Sequence, residues 1–363
     1  MNNLNDRFCM RPFEHLEIHN EYLATDKIRT YCCCPTWIKT SFGHIYDPDV
    51  DKNNLLLKND FDEIWNSEKA IDFRKSVIDG SFRHCHIDKC PYIQNNSLPL
   101  KKDHENFIQS TIKNKYQIFS PKEINLCYDR SCNLSCPSCR KNFVFIKKDS
   151  EEYIFKTRLN DFIIDFIHRS NQEIQINCTG SGDPFASNIF QDFLGKLDYN
   201  KNNKIKVLIQ TNGVLFTKEN WLKISNIQNL KHKTVLISLD AATEDTYNKI
   251  RVGGDWNKLM KNLKFVCELF DHGHLDYVQL DFVVQQKNFR EIPQFIKIAQ
   301  HFGFGAYFSR LLNWNTWELE DFKKNDIFDI NHKEHNDFLS IINQKFDYEN
   351  IFWGNVNFFK TNV

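Results

Sequence analysis

Neither sign of charge dominates the 363 residues: 47 basic side chains are matched by 47 acidic ones. That balance excludes the broad basic footprint of a nucleic-acid binder and leaves room only for local patches. Long apolar runs are also missing. No stretch approaches the roughly 20 residues of a membrane span. The opening MNNLNDRFCMRPFEH has no basic segment followed by an apolar one, so it does not read as a secretory signal, and the expectation is a cytoplasmic chain. Exact internal repeats and low-complexity tracts are absent. Methionine and alanine are scarce and phenylalanine abundant, a bias read as base composition and given no functional weight.

Cysteine is the residue present in excess, with 12 copies. In a reducing compartment, clustered cysteines point to metal or redox chemistry rather than to disulfides. Cys9, Cys32, Cys33, Cys34, Cys85 and Cys90 lie early, Cys127, Cys132, Cys136 and Cys139 lie centrally, and Cys178 and Cys267 stand alone. Two separate metal sites explain that distribution.

From residue 123 onward, strand-like and helix-like segments alternate. EINLCYD (123–129), EIQINCTG (173–180), KIKVLIQTNG (204–213), TVLISLD (234–240), DYVQLDFVVQ (276–285) and AYFSRLLNW (306–314) read as strands separated by amphipathic helices. Such alternation implies an α/β fold with a parallel sheet whose loops share one face. Residues 1–100 read as a small cysteine-rich α+β module, 101–122 as a polar linker, 123–315 as the main domain and 316–363 as a C-terminal extension.

Within CNLSCPSC (132–139) the spacing is C-x3-C-x2-C, after the first strand of the main domain. Structural zinc usually takes four nitrogen or sulfur ligands, often from paired C-x2-C units, and no second pair lies nearby. A [4Fe-4S] cube held by Cys132, Cys136 and Cys139 leaves one iron with an exchangeable position, whereas four cysteines would close it. In this motif and its place in the fold the chain resembles the radical SAM superfamily. The resemblance implies a partial (β/α)6 TIM-type barrel and S-adenosylmethionine on the open iron. It further implies one-electron cleavage to a 5′-deoxyadenosyl radical and a flavodoxin- or ferredoxin-type reductant. Many members place an aromatic residue before the last cysteine, where this chain has Ser138.

Later strands extend the resemblance. GSGDPF (180–185) is similar to the family's Gly-Gly-Glu segment. Gly180 and Gly182 would allow close backbone approach, and Asp183 would replace the acid that meets the cofactor amine. Ser238 and Arg251 match positions that contact the cofactor carboxylate and ribose, with Arg251 suited to charge-assisted bonds to a carboxylate. Asp240 is a candidate to orient Arg251, and Thr243 reads as a helix cap. Asn212, in QTNG, is read as lining the pocket or as turn chemistry. Gln285 and Asn288 are weaker candidates for the ribose. Cys127, Cys178 and Cys267 read as packing, and Trp314 and Trp317 as pocket walls or ordinary aromatic packing.

The early cysteines resemble half of a SPASM-type auxiliary cluster module placed before the barrel rather than after it. The resemblance rests on FCMRPF, YCCCPTW, EIWNS and the Cys85–Cys90 spacing. It implies a second [4Fe-4S] cluster on Cys9, Cys33, Cys85 and Cys90, with Cys32 and Cys34 as alternatives to Cys33. A structural zinc, with His84 and His86 nearby, is the plain alternative.

The function implied is oxidative modification of a peptide or protein side chain by radical chemistry. Dehydrogenation or rearrangement of a small molecule, such as a sugar or nucleotide conjugate, is the runner-up. A redox-neutral epimerisation comes third, and a non-catalytic iron–sulfur or zinc scaffold is the contrasting class.

Overall fold

The structure, a computed structural model, describes residues 4–20, 27–46 and 60–360. Its centre is one ten-stranded sheet. β1 (His15–Asn20), β2 (Ile28–Tyr31) and β3 (Gly43–Tyr46) come from the cysteine-rich segment. Six strands follow: β4 (Glu123–Cys127), β5 (Ile174–Cys178), β6 (Ile205–Thr211), β7 (His232–Ser238), β8 (Tyr277–Val284) and β9 (Gly305–Arg310). β10 (Ile351–Phe352) closes the chain, and the spatial order is β10-β9-β8-β7-β6-β5-β4-β1-β2-β3. β4 to β9 are parallel neighbours in chain order, each returned by a helix, which is the expected six-unit β/α partial barrel.

The helices arise from local sequence. In Glu151–Ser170, Phe155, Leu159, Ile163 and Ile167 recur every four residues and are buried against the sheet. The Ser150 hydroxyl accepts the Tyr153 amide at one end, and Asn171 adopts a left-handed conformation at the other. Thr243 caps Glu244–Ile250 as its sequence suggests, accepting the Thr246 amide.

The two faces of the sheet differ. Ile124, Leu126, Ile176, Val207, Ile209, Ile237 and Leu280 point to the helices and are at most 2 % exposed. Parallel sheets usually bury both faces and read as continuous apolar runs. Here the alternate positions, Asn125, Asn177, Gln210, Ser238 and Gln279, are polar and half-buried. The concave face is therefore mixed, with these polar side chains interspersed with Leu208, Leu236 and Val283, and the strands' C-terminal ends open onto it.

The cysteine-rich segment is annexed to this sheet. β1 runs parallel to β4, pairing Leu16 with Ile124, Glu17 with Asn125 and His19 with Cys127. β2 and β3 continue the sheet antiparallel. Residues 21–26, between β1 and β2, lie outside the described residues. Arg74 knits the segment together. Its guanidinium, buried over the Trp65 ring at 4.5 Å, donates to the carbonyls of Pro12 and Trp65 and to the Asn66 side chain. Trp65 is fully buried core. Residues 101–122, read as a linker, carry a 3-10 turn (Lys101–His104) and a helix (Glu105–Lys113) whose Ile108 is buried. Beyond residue 315, Leu319–Asn325 and His335–Ile342 are helical, and β10 pairs with β9. No helix among the described residues is long and apolar enough to cross a membrane.

Candidate active site

The loop after β4 is held from below before any cysteine is reached. Asp129 is fully buried; one carboxylate oxygen accepts the Ser131 amide and hydroxyl, and the other accepts the Ser187 hydroxyl. Further on, the Cys132 amide donates to the Val144 carbonyl at 2.9 Å, and the Ser135 amide to the Val252 carbonyl at 2.9 Å. The three cysteines thus sit on a loop tied to β5 on one side and to the segment after β7 on the other.

Each sulfur has a hydrogen-bond donor. Cys132 Sγ accepts from the Leu134 amide at 3.4 Å and from Asn212 Nδ2 at 3.8 Å. Cys136 Sγ accepts from Arg251 Nη1 at 3.7 Å, and Cys139 Sγ from Arg140 Nη2 at 3.4 Å. Burial pushes the Cys132 thiol up to about 11 and raises Cys136, with Arg251 opposing the latter. Unligated, Cys132 and Cys136 therefore hold their protons. A bound metal displaces them, and the two guanidiniums then stabilise the thiolates. All three sulfurs line one cavity of about 480 Å³ together with Gly180, Gly182, Asp183, Asn212, Ser238 and Arg251. Three sulfurs with donors, carried on one loop that itself offers no fourth cysteine, fit a cluster with one open iron; Cys34 and Cys127 line the same cavity from other elements.

The glycines are demanded by close approach. A Cβ at residue 182 would stand 2.6 Å from the Ser131 carbonyl oxygen, and one at 180 would stand 2.1 Å from Cys127 Sγ.

Asp183 differs from its expected role. Its carboxylate is buried, and four donors already occupy it: the amides of Phe185, Ala186 and Asn212 and the Thr211 hydroxyl. Burial raises its pKa against those bonds. With both oxygens engaged, Asp183 is built to pin the end of β6 to the loop after β5, and so to hold Asn212. Asn212 Nδ2 in turn donates to Asn133 Oδ1 at 2.9 Å, and its Oδ1 accepts the Val214 amide.

Arg251 is the electrostatic centre of the opposite wall. Its Nη2 lies 2.9 Å from Asp240 Oδ2, and its buried Nε has no hydrogen-bond partner among the described residues. Asp240, at φ 60° and also accepting the Val283 amide at 2.7 Å, orients the guanidinium as its position suggests. Ser238, at the end of β7, lines the same space. Asn288 is consumed by structure, donating to the Asp240 and Val283 carbonyls, whereas Gln285 Nε2 is buried without a partner among the described residues. Trp314 borders the cavity; Trp317 does not, and packs on Phe322. Cys178 is buried core, and Cys267 lies half-buried on its helix.

The early cysteines gather around a second, apolar space walled by Phe73, Val77 and Phe82. Cys9, Cys33, Cys85 and Cys90 all face it, and so does Cys32. Burial pushes the Cys9 thiol up to about 12, with Cys33 and Cys90 adding to the rise. The five thiols are free, and a donor set of sulfur alone fits either a second cluster or zinc. Cys34 turns away and lines the first cavity instead, its thiol 3.1 Å from the Thr36 hydroxyl. His84 is engaged elsewhere, with Asp72 at 2.7 Å and Thr40 at 3.2 Å.

One group went unread in the sequence. Glu17, His19 and Cys127 line the first cavity, with one ligand-capable atom from each lying within 4.8 Å of the others. Their signal is the H-x-E-x-H alternation at 15, 17 and 19, which puts three polar side chains on one face of a strand.

The sequence signature of the Radical SAM superfamily matches residues 129–296, spanning the cysteine loop, the second-strand glycines and Arg251. Among solved structures, the chain is similar to Streptococcus suis SuiB bound to S-adenosylmethionine, with 14% identity and a TM-score of 0.39 over 70% of this chain and 52% of that one. It is also similar to native anSMEcpe with bound AdoMet and Cp18Cys peptide, with 22% identity and a TM-score of 0.36 over 51% of this chain and 49% of that one. The chain thus spans about half the length of these structures. No curated protein matches it. Residues 129–296 thus match the radical SAM superfamily, whose members work by radical chemistry with a [4Fe-4S] cluster and S-adenosylmethionine.

Proposed function

We propose that Cys132, Cys136 and Cys139 hold the [4Fe-4S] cluster and that the chain oxidatively modifies a peptide or protein side chain presented along the concave face. When bound, the cluster and S-adenosylmethionine supply a 5′-deoxyadenosyl radical that abstracts a substrate hydrogen. The observation carrying the reading is the shared cavity in which three donor-paired sulfurs face Asn212, Ser238 and Arg251.

The chain's own residues divide the work. Arg251 brings positive charge beside Cys136 and keeps Nε for the cofactor carboxylate, while Asp240 fixes its orientation. Gly180 and Gly182 let the loop after β5 pack against Cys127 and the Ser131 carbonyl, and Asp183 holds Asn212 and the loop in place. Cys9, Cys33, Cys85 and Cys90 hold an auxiliary cluster suited to accept an electron from an oxidised substrate. The polar side chains along the concave face, Asn125, Asn177, Gln210 and Ser238, offer hydrogen-bond partners to a peptide backbone, which supports a peptide substrate.

The test is formation of 5′-deoxyadenosine and methionine by reconstituted, reduced protein, with Cys136→Ala as control. Turnover in wild type and none in the variant is expected. No turnover in fully cluster-loaded wild type would refute the enzyme reading. Trials with precursor peptides against sugar or nucleotide conjugates then separate the substrate classes.

A further inference from the structure

We infer that Glu17, His19 and Cys127 form a mononuclear zinc-type site on the wall of the radical cavity, with one coordination position open to that cavity.

The argument begins with the sheet. β1 and β4 are parallel neighbours in which His19 and Cys127 are direct partners, and Glu17 stands two residues back on the same face. The three side chains therefore project from adjacent strands rather than from loops, which fixes their spacing. One oxygen, one nitrogen and one sulfur lie within 4.8 Å of one another; Glu17 and Cys127 are buried and His19 is half-buried.

The surroundings orient the ligands. Glu17 Oε1 is held by His15 Nε2 at 3.1 Å and by Arg11 Nη2 at 3.5 Å, which turns Oε2 to His19 Nε2 at 2.8 Å. His15 is itself 2.9 Å from Glu123 Oε2. Such outer contacts are the usual supports of a metal-binding carboxylate. The Cys127 sulfur points at residue 180, where only glycine leaves room for it.

The donor set selects the ion. Cysteine sulfur, histidine nitrogen and a carboxylate suit zinc, and three protein ligands with a vacant fourth position are the pattern of a reactive rather than a structural zinc. The vacant position faces the cavity shared with Cys132, Cys136 and Cys139, so an anionic oxygen or sulfur donor of the substrate would bind there. Cys34 lines the same cavity near Glu17 and Cys127 and is assigned no ligand role. The anchoring role rests on the radical reading above, whereas the metal site itself does not.

The test uses anaerobic, iron–sulfur-loaded full chain incubated with zinc and desalted. Metal content is read by mass spectrometry and zinc coordination by X-ray absorption at the zinc edge. His19→Ala and Cys127→Ser are each expected to lower zinc by about one atom per chain, with iron and circular dichroism unchanged. The zinc lost should be the fraction with a single sulfur neighbour, at about 2.3 Å. Cys34→Ala and Cys136→Ala should keep it, the latter without any cofactor cleavage. Equal zinc in wild type and both ligand variants, no zinc in wild type, or an all-sulfur zinc shell would overturn the site. Loss of zinc in Cys34→Ala would overturn the open position and leave a closed structural zinc.

Discussion

Replacing Arg251 with alanine removes a cation that serves two neighbours at once. Its guanidinium stands 2.9 Å from Asp240, with the two side chains only 12% and 3% exposed. At about 3 Å and an effective dielectric of about 20, that attraction is roughly 5–6 kcal/mol. Desolvation of the two ions offsets much of it in the intact pair. Deleting one partner leaves the other charge buried alone, which costs about 3–5 kcal/mol. Burial already raises the Asp240 pKa and Arg251 restrains it, so the variant raises it further. The folded variant then binds a proton more tightly than the unfolded chain does. Its stability is fullest below the ordinary aspartate range and falls as pH climbs through the raised folded value. Urea denaturation at a series of pH values should show Arg251→Ala losing about 3–5 kcal/mol near neutrality and recovering part of it in acid. Asp240→Asn added to Arg251→Ala should restore most of the loss, because the orphaned charge is gone. Calorimetry on cluster-loaded protein should show weaker S-adenosylmethionine binding at unchanged iron content. A variant within about 1 kcal/mol of wild type at every pH, with no rescue by Asp240→Asn, would refute the buried-pair argument. Unchanged cofactor affinity would remove Arg251 from the site.

Three further outcomes follow from the same geometry. Asp183→Asn replaces one of two accepting oxygens with a donating amide, set against two of the four donors, and should cost about 1–3 kcal/mol in urea denaturation; a neutral effect would return the carboxylate to the cofactor. Gly182→Ala drives a methyl toward the Ser131 carbonyl, costing about 1–3 kcal/mol and lowering iron retention at the three-cysteine loop; full retention would show that the loop yields. Burial would raise the Glu17 carboxyl, but hydrogen bonds and charge from His15 and His19 outweigh it and hold it at about 2. That depressed value contributes about 3 kcal/mol above the ordinary glutamate range, lost as pH falls through the folded value. The acid limb of a stability–pH curve should flatten by that amount in Glu17→Gln.

The barrel was legible because its signal is local. Outward residues such as Ile124, Ile176 and Val207 alternate with polar ones, and each strand ends at a turn or cap that its own residues specify. What local pattern lacks is the choice of partner. HLEIHN shows one face of His15, Glu17 and His19, but nothing in those residues says that the face will lie beside Cys127, more than a hundred positions away. Cys127 alone reads as a small buried residue, and only the β1–β4 register makes it part of a group. Asp183 shows a further limit: a Gly-Asp-Pro segment at a strand end reads as ligand-binding, and the bonds its carboxylate takes from β6 are ones the segment does not encode. In the run Cys32–Cys34, spacing leaves three choices, and backbone direction sends Cys34 to the first cavity while Cys32 and Cys33 share the second, apolar space with Cys9.

The most direct test of the account is electron paramagnetic resonance on anaerobic, reduced protein before and after S-adenosylmethionine is added. An open iron on the Cys132, Cys136 and Cys139 cluster predicts a shifted signal on addition in wild type and in a Cys9→Ala, Cys33→Ala double variant. It predicts no shift in Cys136→Ala. A wild-type signal indifferent to the cofactor, in protein whose iron content shows the cluster loaded, would contradict the account.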